Sequence, residues 1–179
     1  MKHPKEVSEQ LKETFKAFEE SLHSYSEKEF EYKHTEEIWS LAQMYEHLYL
    51  SAIYFFMANI NRCLEKRKGE YCKGPNEAGL FVMEQNAFPA KKFIRPGTGQ
   101  TPEPSSKGLP FYQKNFAGIL SQLLEKESLV SKDEGEYRTE HPVLGFLNAA
   151  EWYYNMEIHL RHHLRQKKEL ESYLPAPST

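Results

Sequence analysis

The sequence predicts an all-α protein, a four-helix bundle with a long connection between its second and third helices. Three observations predict it. Apolar residues recur at steps of three and four in four separate stretches, two of those stretches open with a capping box, and no strand-rich region is visible. Helices with one apolar stripe bury it against each other, and four of them make a bundle. The 179 residues correspond to one ordinary domain, expected over 1–174, with 175–179 as a frayed tail.

The first helix is expected from about Pro4 to Ser26. Val7, Leu11, Phe15, Phe18, Leu22 and Tyr25 form its stripe, and Pro4 suits a first turn that needs no amide hydrogen. The second opens at Ser40, whose capping box closes with Gln43 and whose hydrophobic staple would be Trp39 and Met44. It runs to about Leu64. Between Ile38 and Asn61 its only formal charge is Glu46, so more than one face should be buried, against a metal pocket, a second subunit, or both. A homodimer is therefore one expectation. From about Glu65 to Pro110, recurring Gly and Pro break any long element. Connections this long are often functional. A short helix around Leu80 to Asn86 is expected within it, and Phe81, Phe88, Phe93 and Ile94 are candidates to pack onto the bundle. The third helix starts near Phe111 and ends before Lys132. After a charged turn and the structured turn of His141-Pro142, the fourth opens with Asn148 and Glu151 at capping-box spacing, flanked by Leu147 and Trp152 as a staple, and runs to about Tyr173.

Composition excludes several classes. With 23 basic and 26 acidic residues, the net charge of -3 provides no field to gather nucleic acid or an anionic membrane. The most apolar stretch, Leu48 to Ile60, is too short to span a bilayer. The N-terminus is charged and lacks the apolar run of a signal peptide. The two cysteines, Cys63 and Cys72, have no ligand spacing and make no disulfide scaffold. A cytoplasmic protein is expected.

The chemistry is carried by histidines. At about 100° per residue, Trp152, Met156, His159, His163 and Leu170 share one side of the fourth helix. Arg161, Arg165, Lys168 and Glu157 share the other, its expected solvated face, and His162 points to the polar edge. His159 and His163 therefore face the core one turn apart, close enough for one cation. Two buried imidazoles without partners are unfavourable, and a shared cation would supply the partner. Two hydrogen-bonded core histidines are the competing account. His47 is the natural third ligand, on a side shared with Gln43, Ser51 and Tyr54. Its alternative is a surface or dimer-facing role, because spacing alone does not bring the second helix to the fourth. Gln166, one turn beyond His163, is a candidate to orient a ligand. Trp152 is a candidate pocket wall, and Tyr54 a candidate to reach the metal's open position. Cys63, sixteen residues past His47, falls on nearly the opposite side of an ideal helix and is expected to have no ligand role.

The stretch Trp39-Ser40-Leu41-Ala42-Gln43-Met44-Tyr45-Glu46-His47-Leu48 resembles the second-helix signature of the DinB-like superfamily, the bacillithiol-transferase-like four-helix bundle metalloproteins. The last helix is similar to that family's in His141-Pro142, Gly145, Glu151-Trp152, and His159, His162, His163 and Gln166 at His-x-x-His-His-x-x-Gln spacing. The order of elements matches over essentially the whole chain. The resemblance implies a four-helix bundle and a three-histidine metal site on His47, His159 and His163. The long connection departs from the better-characterised branches, so no substrate carries over.

Three neutral imidazoles suit zinc or nickel best. Three protein ligands leave a position open, as in catalytic rather than structural sites. Water there would become more acidic, and a thiol would be held as thiolate. One reading is transfer of a small-molecule thiol to an electrophile, as the resemblance implies through the family's thiol S-transferases. A second is metal-dependent hydrolysis of an amide or ester. The absence of an Asp or Glu beside the histidines favours the first. A third, of another class, is a non-catalytic metal-binding or stress-response module.

Overall fold

The chain is mostly helical, with a small three-stranded antiparallel sheet. A computed structural model describes residues 2–71, 73–89 and 104–175. Cys72, Phe93, Ile94, the Gly and Pro positions between 96 and 102, and tail residues 176–179 lie outside the described residues.

Helix α1 (Pro4–Leu22) begins as its first residues require. Pro4 occupies the first turn, and the His3 side chain accepts the Lys5 N–H while Glu6 closes a capping box. It stops short of the expected Ser26. Ser26 and Glu29 form a second capping box, which starts the short helix α2 (Glu27–Phe30), and a residue acting as an N-cap cannot also continue the helix before it. Helix α3 (Leu41–Leu50) opens with the Ser40–Gln43 box. It continues through a π-helical segment (Ser51–Met57) into α4 (Ala58–Leu64), with helical backbone angles at both joins. Within the long connection, α5 (Glu77–Gln85) runs from the N-cap Asn76 to Asn86, a left-handed residue at φ 53°. Helix α6 (Leu109–Lys132) starts with Pro110 in its first turn, and α7 (Ala149–Ser172) with the Asn148–Glu151 box.

The sheet is small, in keeping with a sequence that shows no strand-rich region. Strand β1 (Glu70–Tyr71) pairs with β2 (Tyr137–His141), which pairs with β3 (Gly145–Leu147). Tyr137 and Thr139 point inward while Arg138 and Glu140 are more exposed, a period of two too short to stand out between charged residues. The His141–Pro142 turn is the hairpin corner: His141 Nδ1 accepts the N–H groups of Val143 and Leu144 at 3.1 Å. Gly145 follows at φ +81°, where a Cβ would lie 2.5 Å from the Asn76 nitrogen.

Helix α1 packs on α6 and α7, and the α3–π–α4 rod packs along α7. Phe15, Phe18, Tyr45 and Phe116 form the aromatic centre of the core, with ring centroids 5.2 to 6.0 Å apart. Full burial of each such side chain stabilises the fold by about 1.5–3 kcal/mol. Buried polar groups set the helix register. Ser8 Oγ and Tyr153 OH meet at 2.9 Å between α1 and α7, and Tyr45 OH donates to the Phe18 carbonyl at 2.8 Å. Glu46 is buried and accepts from Tyr112 OH at 2.7 Å and from Lys107 Nζ at 3.2 Å, which ties α3 to the start of α6. Glu157 is also buried, not solvated as expected. Arg161 donates to it and to the Asn86 side chain and carbonyl, so α7 turns this face toward the end of α5 rather than to water. An unpaired carboxylate here would be strongly unfavourable, and the guanidinium supplies the pairing.

The Gly145→Ala substitution should lower unfolding free energy by about 1–3 kcal/mol, because alanine at positive φ is strained and its Cβ meets the backbone. Urea unfolding measures this, and a variant as stable as the parent would contradict the described hairpin corner.

Candidate metal centre

Two local decisions bring three histidines together. The Ser40 cap fixes where α3 begins and so which residues of its second turn face α7, and the Asn148 cap does the same for α7. Glu151 of that second cap also pairs with Arg138 of β2, which fixes the entry of α7. With α3 against α7, His47 meets His159 and His163. The Nε2 atoms of His47 and His159 are 3.2 Å apart, and those of His163 and His159 are also 3.2 Å apart. One nitrogen from each ring lies within 4.8 Å of the others. His163 is buried, and His47 and His159 are partly so.

The donor set fits a divalent ion. Zinc–imidazole bonds of 2.0–2.1 Å place tetrahedral donors about 3.3 Å apart, close to the observed separations. Hydrogen bonding alone satisfies the arrangement poorly. A neutral imidazole has one N–H and one lone pair, and His159 Nε2 sits between two neighbours, so only one of its two contacts can be a hydrogen bond. Three lone pairs aimed at one cation resolve the conflict. The Gln166 amide oxygen faces His163 Nδ1 at 2.5 Å, which suits a ring carrying its proton on Nδ1 and presenting its Nε2 lone pair to the centre.

The protein environment keeps two of these rings, His159 and His163, neutral. Burial, followed by the fields of His163 and His47, holds the His159 pKa well below the usual histidine range. Burial, with His47 and His162 adding to it and the Gln166 contact opposing it, pushes His163 down to about 3. Neutral imidazole is the form that binds metal. No Asp or Glu belongs to the convergent group among the described residues.

The remaining candidates divide. Trp152 is fully buried and reaches the centre through Phe56, whose ring is 6.2 Å from Trp152 and 5.0 Å from His159. Tyr54 is 70 % exposed and points away. The π segment explains this: i→i+5 bonding puts more residues in each turn, so each advances less than the 100° of an α-helix. The face expected to carry Tyr54 carries Phe55 instead, which packs on Trp152 and His141, each at about 5 Å. His162 stays outside the group, and its Nδ1 accepts from Arg165. Cys63 is buried on the hairpin side, 3.5 Å from Thr139 Oγ1 and 3.4 Å from the Leu147 carbonyl. Two wall residues were not legible as such. Trp39, read as a staple, packs 5.4 Å from His47, and Phe56 packs on His159. Trp39 precedes a capped helix whose next two turns carry His47, a signal available in retrospect. Nothing in the sequence marked the π segment that turns Phe56 inward. Among the described residues, one surface hollow lies near Lys66 and Tyr137 and another between α1 and α6, both away from the three histidines.

Two outcomes are expected. Unfolded histidine binds a proton near pH 6.5, but folded His163 binds one only near pH 3. Between these values the unfolded chain holds more protons, so metal-free stability is full above about 6.5 and is lost as pH falls toward 3. Urea unfolding in chelator at pH 7 and pH 5 should show His163→Gln losing less stability than the parent, and equal losses would contradict the buried neutral ring. Cys63→Ser should leave metal content unchanged, and loss of metal would contradict the hairpin placement of Cys63. Against known proteins, no family model, no curated protein and no solved structure matches this chain.

Proposed function

We propose that this chain is a metal-dependent enzyme of the DinB-like kind, a four-helix bundle of α1, the α3–π–α4 rod, α6 and α7, that transfers a small-molecule thiol to an electrophile. The observation that carries this reading is the convergence of three histidine Nε2 donors without a carboxylate among them in the described residues. His47, His159 and His163 would hold the ion, and zinc or nickel suits the donor set best. When bound, the ion would supply Lewis acidity that favours the thiolate form of a thiol at neutral pH.

The protein's own residues do the rest. Three uncharged ligands leave the cation's full charge at the site, which favours an anionic guest over a neutral one. Trp39 and Phe56 flank His47 and His159 with apolar surface, which excludes water and strengthens that attraction. Gln166 holds the His163 ring in the orientation that directs Nε2 inward.

Hydrolysis of an amide or ester is the alternative. It calls for a general base beside the site, and the nearest carboxylate in sequence, Glu46, is occupied by Tyr112 and Lys107. That occupation favours thiol transfer. A non-catalytic metal-binding module would keep the metal and turn nothing over.

The test incubates zinc- or nickel-loaded protein with bacillithiol, mycothiol or a simpler thiol and an activated aromatic halide, which loses halide as the coloured S-aryl thioether forms. Metal-dependent turnover that is lost in His47→Ala is expected. Turnover of a chromogenic ester or amide without thiol transfer would move the assignment to hydrolysis, and no turnover of either would favour the non-catalytic module.

A further inference from the structure

The histidine cluster sits inside a longer run of rings. Trp39 lies 5.4 Å from His47, His47 4.9 Å from His163, His163 5.4 Å from His162, and His162 5.7 Å from Phe88, centroid to centroid. Trp39 precedes α3 and Phe88 follows α5, so the two end rings come to the cluster from different parts of the chain. Both are partly exposed, whereas the aromatic residues at the centre of the core, Phe15, Phe18, Tyr45 and Phe116, are buried.

Packing alone does not call for aromatic rings at these two places. Trp39 stands in the staple position before the Ser40 cap, and Phe88 covers part of α7. Leucine would supply the apolar bulk for either task. Nor does a cation occupy the two rings. Among the described residues, lysines lie over Tyr49, Phe111 and Phe146, and none over Trp39 or Phe88. A half-exposed ring has a preferred partner in another ring, because stacked and edge-on pairs are favoured beyond the area they bury. A guest that meets the histidine cluster through one atom has Trp39 beyond His47 on one side, and Phe88 beyond His162 on the other.

We propose that Trp39 and Phe88 line a subsite for a planar aromatic group, so that one reactant of the transfer is an aryl compound. This rests on the thiol-transfer reading above and names a substrate class for it. Trp39, in ring contact with His47, is the main specificity-determining residue, and Phe88, one ring further out, the lesser one.

The test measures binding rather than turnover. Zinc-loaded parent, Trp39→Leu, Trp39→Phe and Phe88→Leu are titrated calorimetrically with phenylmethanethiol and with cyclohexylmethanethiol, which carry a flat and a saturated ring. The quantity read is the ratio of the two dissociation constants, compared between proteins so that the difference in thiol acidity cancels. Trp39→Leu should move this ratio against the aromatic thiol by about 2–10-fold. Phe88→Leu should move it the same way by less, and Trp39→Phe should keep most of the parent's preference. A packing role alone predicts a loss of stability with equal changes in both constants. If Trp39→Leu loses zinc, Phe88→Leu carries the same comparison. An unchanged ratio in the zinc-loaded Leu variants would overturn the subsite. A zinc-loaded parent that binds neither thiol would instead overturn the thiol-transfer reading, and a parent that binds no zinc would overturn the metal site itself.

Discussion

Three imidazole nitrogens face one another across the contact between α3 and α7, and much of the surrounding structure serves to hold them there. Left to themselves, the rings would not choose this arrangement. Each neutral ring has a single lone pair and a single N–H, and protonating one disfavours protonating the next. The arrangement persists because the helices that carry the rings are fixed by interactions elsewhere. The three nitrogens could together hold a divalent cation, which would accept all three lone pairs at once.

The fixing interactions are mostly polar and buried. Glu46, one residue before His47, is anchored to Tyr112 and Lys107, and the Lys107 ammonium also lies over the rings of Tyr49 and Phe111. On α7, Arg161, paired with Glu157, grips Asn86, while Phe88 packs its ring 5.7 Å from His162. Both ends of the described connection therefore attach beside metal-ligand candidates, at His162 next to His163 and at Glu46 next to His47. A buried charge loses more when its partner is removed than the pair contributes to stability. Such pairs hold a single register for the helices, and the site needs a single register to keep its donors converged.

Much of this was legible in the sequence. The capping boxes at Ser40 and Asn148 located the starts of α3 and α7, because a side chain that satisfies the first-turn amides has few other places to be. Four-residue spacing on an apolar stripe put His159 and His163 together. His47 was a candidate by its place in a nearly uncharged helix, but only the packing of α3 on α7 joins it to the pair. Three features escaped. The π segment changes the helical phase after Leu50, so an ideal 100° step sends Tyr54 inward when Phe55 takes that face. The hairpin at Tyr137 to Leu147 is too short and too charged to show a period of two. The burial of Glu157 depends on Arg161 one turn away and on Asn86, far away in sequence, so its position on the polar side of α7 misled.

We propose that these three histidines bind one metal ion. Elemental analysis of the purified protein, beside a variant with His47, His159 and His163 all replaced by alanine, tests the proposal. Close to one equivalent of zinc or nickel is expected in the parent and none in the variant. A parent that holds no metal even after reconstitution, or a variant that holds as much as the parent, would contradict it.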